Sequence, residues 1–195
     1  MPQLILASQS VSRKRLLTEA GYDFVVRPSH IEEVIDHSLP IPKAIEKLSL
    51  EKAQAIADRT DTPKDAVIIA ADSVVVFGGQ IYGKPKDKQD LIKTLTRLSG
   101  QTHQFITGFT IINMQGRTIT TDFDIASVTL KKLSPLLLER HADRKSAYTK
   151  AGGYGITENG REFVQGYTGS RSNLSGLPLE KIEPILEQHG VIKRQ

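Results

Sequence analysis

One run of apolar residues limits the folds open to this chain more than any other feature of its sequence. Ala66–Phe77 is rich in valine and isoleucine, and this composition predicts a buried β-strand. Asp72 and Ser73 interrupt the run, so we expect them to break the strand. A carboxylate in such surroundings is destabilising unless it is paired, protonated or bound to a metal ion. Asp72 is therefore a candidate metal ligand or general base, or else an aspartate that accepts backbone hydrogen bonds at a solvated edge.

Periodicity and end signals predict the other elements of the chain. Strands are expected at Gln3–Ala7, Phe24–Val26, Gln104–Met114 and Arg117–Leu130, with a hairpin turn at Gln115-Gly116. Helices are expected at Arg13–Ala20, after Pro42 to about Asp58, at Asp87–Leu98, at about Ser134–Asp143 and at Pro178–His189, with a glycine-rich segment at Gly152–Gly176. Strands and helices alternate early and a hairpin follows, which predicts a mixed-sheet α/β protein.

The length and composition exclude several classes of protein. The 195 residues suit a single domain, 1–195, or two closely packed lobes. There are no cysteines, which excludes disulfides, zinc–thiolate sites and cysteine nucleophiles. The apolar run Leu4–Ala7 is too short for a signal peptide, and no stretch approaches the ~20 apolar residues of a membrane span. We therefore expect a cytoplasmic protein with no membrane partner.

The charge of the chain leaves two interpretations open. The net charge is +4 and the pI is about 9.2. A basic protein can bind nucleic acid through its phosphates. A solvated surface with a slight excess of lysine has the same charge.

Serines and basic residues follow the first predicted strand. Ser8 and Ser10 are suited to cap the first helix, and Arg13, Lys14 and Arg15 come just after them. Cations oppose the helix dipole at this end, and a bound phosphate would reverse that penalty. The segment predicts either phosphate binding by Ser8, Ser10 and Arg13 or a capped helix with exposed basic residues.

Two lysines and a pair of glutamates could act together with Asp72. Helical spacing places Lys52 on an apolar stripe, where its amine either serves a site or extends to solvent. Lys84 would return beside Asp72 if a strand followed Gly78-Gly79, and is otherwise a turn lysine. Glu32-Glu33 is a surface pair unless Asp72 needs a second carboxylate to hold Mg²⁺.

Eight short segments, in one order, resemble the Maf family of nucleoside triphosphate pyrophosphatases. They are LILASQSVSRKRLL (Leu4–Leu17), IEE (Ile31–Glu33), LEKAQA (Leu50–Ala55), AADSVVV (Ala70–Val76), YGKPKD (Tyr82–Asp87), LSGQTHQFITG (Leu98–Gly108), KAGGYGI (Lys150–Ile156) and GLPLE (Gly176–Glu180). The resemblance implies a mixed, curved sheet flanked by helices, with two lobes around a cleft, often in a homodimer. It also implies cleavage between the α- and β-phosphates of a nucleoside triphosphate with a divalent cation, Mg²⁺ or Mn²⁺.

The resemblance assigns roles to residues of this chain. It implies Asp72 as the catalytic base, with Lys52 and Lys84 as catalytic lysines. Ser8, Ser10 and Arg13 match its phosphate-binding loop, and Glu33 and Asp72 match its metal ligands. Chain positions that distinguish base specificity within the family are Ser12, Ser73 and Thr157, which match neither the dTTP/UTP-cleaving group nor the group resembling 7-methyl-GTP pyrophosphatases.

The sequence therefore leaves two hypotheses about function, which belong to different classes. The first is a pyrophosphatase that removes unwanted or modified nucleotides, with its base preference open. The second is a non-catalytic regulator of cell division that binds nucleotides or nucleic acid. The carboxylates Asp72 and Glu33 favour the first, because they would repel the phosphates of a nucleic acid.

Overall fold

The structure is a computed structural model that describes residues 2–156 and 162–194. Within those residues the strands are β1 (Leu4–Leu6), β2 (Val25–Val26), β3 (Val67–Phe77), β4 (Gln80–Tyr82), β5 (Thr102–Asn113), β6 (Thr118–Leu130) and β7 (Val164–Thr168). The α-helices are α1 (Val11–Glu19), α2 (Ile41–Ala57), α3 (Lys88–Leu98), α4 (Pro135–Ala142) and α5 (Leu179–Gln188). No described helix combines the length and apolar composition that a membrane crossing needs.

The strands form a mixed sheet, which confirms the predicted α/β class. Its order is β2-β1-β3-β5-β6-β7, and β4 pairs with β3 outside this path. β1 runs parallel to both β2 and β3, whereas the pairs β3–β4 and β6–β7 are antiparallel.

The expected break in the apolar strand is wrong. β3 continues through Asp72 and Ser73, although these two residues are less buried than the residues on either side of the pair. The reason is that a strand is held by hydrogen bonds of its backbone, and a polar side chain changes burial without interrupting that ladder. The short strand β7 is not among the predicted elements, because it lies in the segment 152–176, whose glycines give no strand periodicity.

The chain divides into two compact units. The first consists of Met1–Asp72, Thr107–Asp124 and Gly176–Gln195, and the second of Ser73–Ile106 and Ile125–Ser175. In the second unit, Val75 and the buried leucines of α3 and α4 pack in one core with Val128 and Phe163.

The two faces of β3 bury different neighbours in the first unit. Val67, Ile69 and Ala71 pack in a core that includes Leu17 of α1 and Ile182 of α5. The alternate residues of the strand belong to a second core together with Ala53 and Ile56 of α2. Because side chains alternate along a strand, Asp72 follows Ile68 and Ala70 on the face toward α2.

A glycine lets α2 lie very close to β5. A Cβ atom added to Gly108 would stand 2.5 Å from the backbone nitrogen of Glu46 and 2.6 Å from the carbonyl of Ile45. Nearby, the hydroxyls of Ser49 and Thr110 lie 2.8 Å apart in the buried contact between the same two elements. The depth at which α2 lies on the sheet therefore depends on the missing side chain at position 108.

Gly108→Ala is expected to destabilise the protein by about 1–3 kcal/mol, because the new methyl group overlaps backbone atoms that cannot rotate away. The measurement is urea unfolding. Gly166→Ala is the matched control, since Gly166 lies in β7 and its added Cβ would meet nothing within 4 Å. Equal midpoints for the two variants would contradict the close approach.

Candidate active site

Asp72 ends the first of the three chain segments that form the first unit, and it lies in the middle of β3. Its side chain is 13% exposed and accepts a hydrogen bond from Lys52 Nζ at 2.5 Å. The sequence predicts that a carboxylate in this apolar strand needs a partner, and Lys52 is that partner, in an ion pair. The alternative of an aspartate satisfied only by backbone or solvent at a sheet edge does not describe this position.

Lys52 lies on the buried face of α2, as its spacing predicted. Leu48 and Ile56, one turn away on each side, are fully or almost fully buried. The lysine side chain is only 7% exposed, and its amine also donates to Glu33 Oε1 at 2.6 Å. The interpretation that this amine extends to solvent is wrong, because two carboxylates hold it inside the first unit.

Glu33 reaches this pair from the irregular segment between β2 and α2. Its side chain is 48% exposed, much more than those of Lys52 and Asp72. Three residues later, Asp36 anchors the segment to α2 by accepting from Lys47 Nζ at 2.8 Å. The hydrogen bonds from Lys47 and Ser38 hold the pKa of Asp36 well below its usual range.

Arg13 is buried at the start of α1 and donates to three acceptors of the first unit. Nε donates to the carbonyl of Gly176 at 2.8 Å, and NH1 donates to the carbonyl of Ala71 at 2.8 Å and to Ser8 Oγ at 3.1 Å. Burial lowers the pKa of the guanidinium, while the charges of Asp72 and then Glu33 act in the opposite direction. The guanidinium thus lies within the electrostatic reach of both carboxylates.

The serines of the loop before α1 satisfy local donors. Ser10 is the N-cap and accepts from the backbone N–H of Arg13 at 3.4 Å. Ser8 Oγ accepts from the backbone N–H of Ser10 at 3.2 Å, in addition to its bond from the guanidinium. The predicted capping chemistry is present, and phosphate binding by this loop stays a prediction.

The sequence predicts four further residues of the site, and the structure describes three of them. Lys84 is exposed in the bend after β4, and the antiparallel pairing of β4 with β3 supplies the return strand that the prediction required. Ser12 is half-buried in α1 and Ser73 is half-buried in β3. Thr157 lies outside the described residues.

Two acceptors of this site were not predicted as site residues. They are the backbone carbonyls of Ala71 and Gly176, which the Arg13 guanidinium contacts. A buried arginine needs several acceptors, so its presence could have indicated that some exist. Backbone carbonyls occur at every residue, however, and no sequence pattern selects these two.

The histidines do not provide a metal site in the described part of the chain. No group of three or more histidine, cysteine, aspartate or glutamate residues there could hold a metal ion. His103 is buried and hydrogen-bonded through Nε2 to the Tyr154 hydroxyl, and burial lowers its pKa to about 4. His141 Nε2 contacts the carbonyl of Gly153 at 2.7 Å. These two histidines are therefore part of the packing of the second unit.

The first unit thus brings two carboxylates and two buried cations together at a strand of a mixed α/β sheet. This arrangement is typical of proteins that bind anionic ligands, because its cations attract anions. Its carboxylates are oxygen ligands of the kind that hard cations prefer. The chain belongs to the Maf family, because a family model described as Maf-like protein matches residues 3–189. This match confirms the family membership that the eight sequence segments predict.

Curated relatives align with nearly the whole chain. A protein of Alkaliphilus oremlandii is 36% identical and covers 97% of both chains. One of Bacillus pumilus is 38% identical over 98% of both, and one of Thermosipho africanus is 40% identical over 97% of this chain and 95% of its own. All three are named dTTP/UTP pyrophosphatase, in agreement with the predicted class of enzyme.

A solved structure from Vibrio cholerae covers 97% of this chain and 98% of its own. Its TM-score is 0.41 and its sequence identity is 14%, a similarity that supports no argument about function.

Proposed function

We propose that this protein hydrolyses nucleoside triphosphates to nucleoside monophosphates and pyrophosphate. The observation that carries the proposal is the cluster of Asp72, Lys52 and Glu33, with Arg13 beside it. Hydrolysis of a phosphoric anhydride needs a group that accepts a proton from water and positive charge for the phosphoryl oxygens. Both kinds of group are present here within one unit.

Asp72 is the proposed general base. Water attacks the α-phosphorus, the bond from that phosphorus to the bridging oxygen breaks, and pyrophosphate leaves. The Asp72 carboxylate accepts the proton of the attacking water. Its low exposure of 13% and its ion pair with Lys52 hold the carboxylate in a defined orientation before substrate arrives.

The cations of the cluster are the proposed partners of the phosphates. Lys52 is held in place by its helix and Arg13 by three internal acceptors, so neither has to be ordered when the nucleotide binds. Ser8 and Ser10 contact Arg13 at the N-terminus of α1, where the helix dipole and the first N–H groups favour an anion. Lys84, predicted from the family resemblance, is the proposed third cation.

Glu33 and Asp72 are the proposed ligands of a divalent cation, Mg²⁺ or Mn²⁺. Their donor set fits such an ion, because Mg²⁺ in nucleotide sites is held by one or two carboxylates together with substrate phosphates. Lys52 contacts one oxygen of each carboxylate, so both groups point to one place. The cation supplies positive charge that stabilises the phosphoryl oxygens when it is bound.

Pyrimidine nucleotides are the proposed substrates, since the relatives at 36–40% identity are named dTTP/UTP pyrophosphatases. Ser12, Ser73 and Thr157 are the proposed positions of base selection, as the family resemblance implies. The two units are proposed to act as one nucleotide pyrophosphatase domain, in a cytoplasmic homodimer.

The test is pyrophosphate release from a panel of dTTP, UTP, dCTP, dATP and dGTP, with Mg²⁺ or Mn²⁺ and with a chelator. dTTP and UTP are expected to be cleaved at least about tenfold faster than the purine nucleotides, a difference of about 1.4 kcal/mol in transition-state binding. Chelator should abolish release. Nucleotide binding without release from any member of the panel would overturn the proposal and favour a binding regulator.

A further inference from the structure

Lys52 occupies the place where the two proposed metal ligands meet. Its ammonium lies 2.6 Å from Glu33 Oε1 and 2.5 Å from Asp72 Oδ1. Both contacts are short hydrogen bonds between an ammonium and a carboxylate, the charge-assisted kind. A single cationic nitrogen thus bridges the two carboxylates that would hold the divalent cation.

The lysine cannot leave this position easily. Its helix α2 is fixed on the sheet by buried residues on the same face, including Ile45 and Ile56. An ammonium as deeply buried as that of Lys52 is destabilising unless carboxylates remain beside it. Release of the amine would therefore leave one buried cation and one nearly buried aspartate without their partners.

The charges of the cluster are balanced without any metal. The two negative charges of Glu33 and Asp72 face the positive charges of Lys52 and Arg13. A divalent cation arriving alone would thus meet no net negative charge and a resident ammonium at close range. A nucleoside triphosphate brings several negative charges and its own oxygen ligands, which shift this balance toward the cation.

We propose that Lys52 is a built-in counterion that keeps Glu33 and Asp72 from binding a divalent cation until the nucleotide is present. The cation is then bound together with the nucleotide and not before it. This inference rests on the proposed function for the identity of the two ligands, and it adds an order of binding that the proposed reaction does not require.

The first experiment measures Mn²⁺ binding to the nucleotide-free protein by the loss of the free-ion signal in electron paramagnetic resonance. Lys52→Met keeps most of the length of the side chain and removes the charge. The variant is expected to bind Mn²⁺ at least about tenfold more tightly than the wild-type protein, because repulsion by the ammonium is gone. Lys52→Arg keeps the charge and is expected to bind Mn²⁺ as weakly as the wild type.

The matched control is Lys43→Met, on the same helix. Lys43 is exposed and pairs with Glu46 at 2.7 Å, outside the cluster. This variant should leave Mn²⁺ affinity unchanged. Adding Asp72→Asn to Lys52→Met should remove the gain, which shows that the new affinity belongs to these carboxylates. Equal Mn²⁺ affinity of Lys52→Met and Lys43→Met would overturn the proposal.

A second measurement uses only the wild-type protein, so it does not depend on how the Lys52 variants fold. Mn²⁺ is titrated with and without a dUTP analogue that carries a non-hydrolysable group between the α- and β-phosphates, and the Mn²⁺ that the analogue binds in a protein-free titration is subtracted. The affinity is expected to rise at least about tenfold with the analogue, since the phosphates add ligands and charge. Equal affinity in both titrations would contradict the order of binding. A protein that binds no analogue and cleaves no nucleotide would contradict the proposed function instead, while the Lys52→Met comparison would still report on the counterion.

Discussion

Asp72→Asn is expected to lower kcat for pyrophosphate release by a factor of about 10²–10⁴, the range that general bases contribute. Asparagine has nearly the same shape as aspartate and can still accept a hydrogen bond from Lys52. It cannot take a proton from water. The protein should therefore fold and bind nucleotide while its turnover is lost.

Steady-state kinetics of wild type and variant, with dTTP and Mg²⁺, make the comparison. Asp65→Asn is the matched control, because Asp65 is exposed in the turn just before β3. It should retain full activity. Thermal unfolding of both variants separates a chemical defect from a folding defect. An Asp72→Asn protein with more than half of the wild-type kcat would show that another group accepts the proton.

The elements of this fold could be predicted because they depend on local periodicity. A short window of sequence is enough to predict the apolar stripe of α2, which carries Lys52. The same holds for the apolar run of β3, which carries Asp72. Since α2 covers the even-numbered face of β3, the two charged residues meet when the helix packs on the sheet. The pairing of Lys52 with Asp72 thus follows from the helical period of α2, the alternation of side chains along β3 and the packing of the helix on that face of the sheet.

The other contacts of the site have no such pattern. Glu33 lies in an irregular segment, and its approach to Lys52 depends on tertiary anchors such as Asp36 with Lys47. The guanidinium of Arg13 binds carbonyls that are 58 and 163 residues away along the chain. Irregular loops and backbone acceptors carry no periodic signal, so only the structure identifies them.

Arg13→Met is expected to destabilise the protein by about 3–5 kcal/mol, the effect of removing one partner from a buried, hydrogen-bonded ionic group. The carbonyls of Ala71 and Gly176 would lose their donor, and the carboxylate of Asp72 would lose a neighbouring positive charge. Urea unfolding measures the change. Arg13→Lys should fall between the variant and the wild type, because one ammonium cannot reproduce the forked geometry of a guanidinium.

Arg15→Met is the matched control in the same helix, since Arg15 is only partly buried and its ion pair with Glu19 spans 3.7 Å. Its effect should stay below about 1 kcal/mol. The comparison separates two roles of Arg13. If the guanidinium serves mainly to hold the loop before α1, β3 and the segment at Gly176 together, Arg13→Met lowers stability far more than Arg15→Met does. If it serves only to bind phosphate, both variants unfold at the same urea concentration and only the KM of Arg13→Met rises. The three internal bonds predict the first result, together with a rise in KM, because the proposed contact of Arg13 with the phosphates is lost as well.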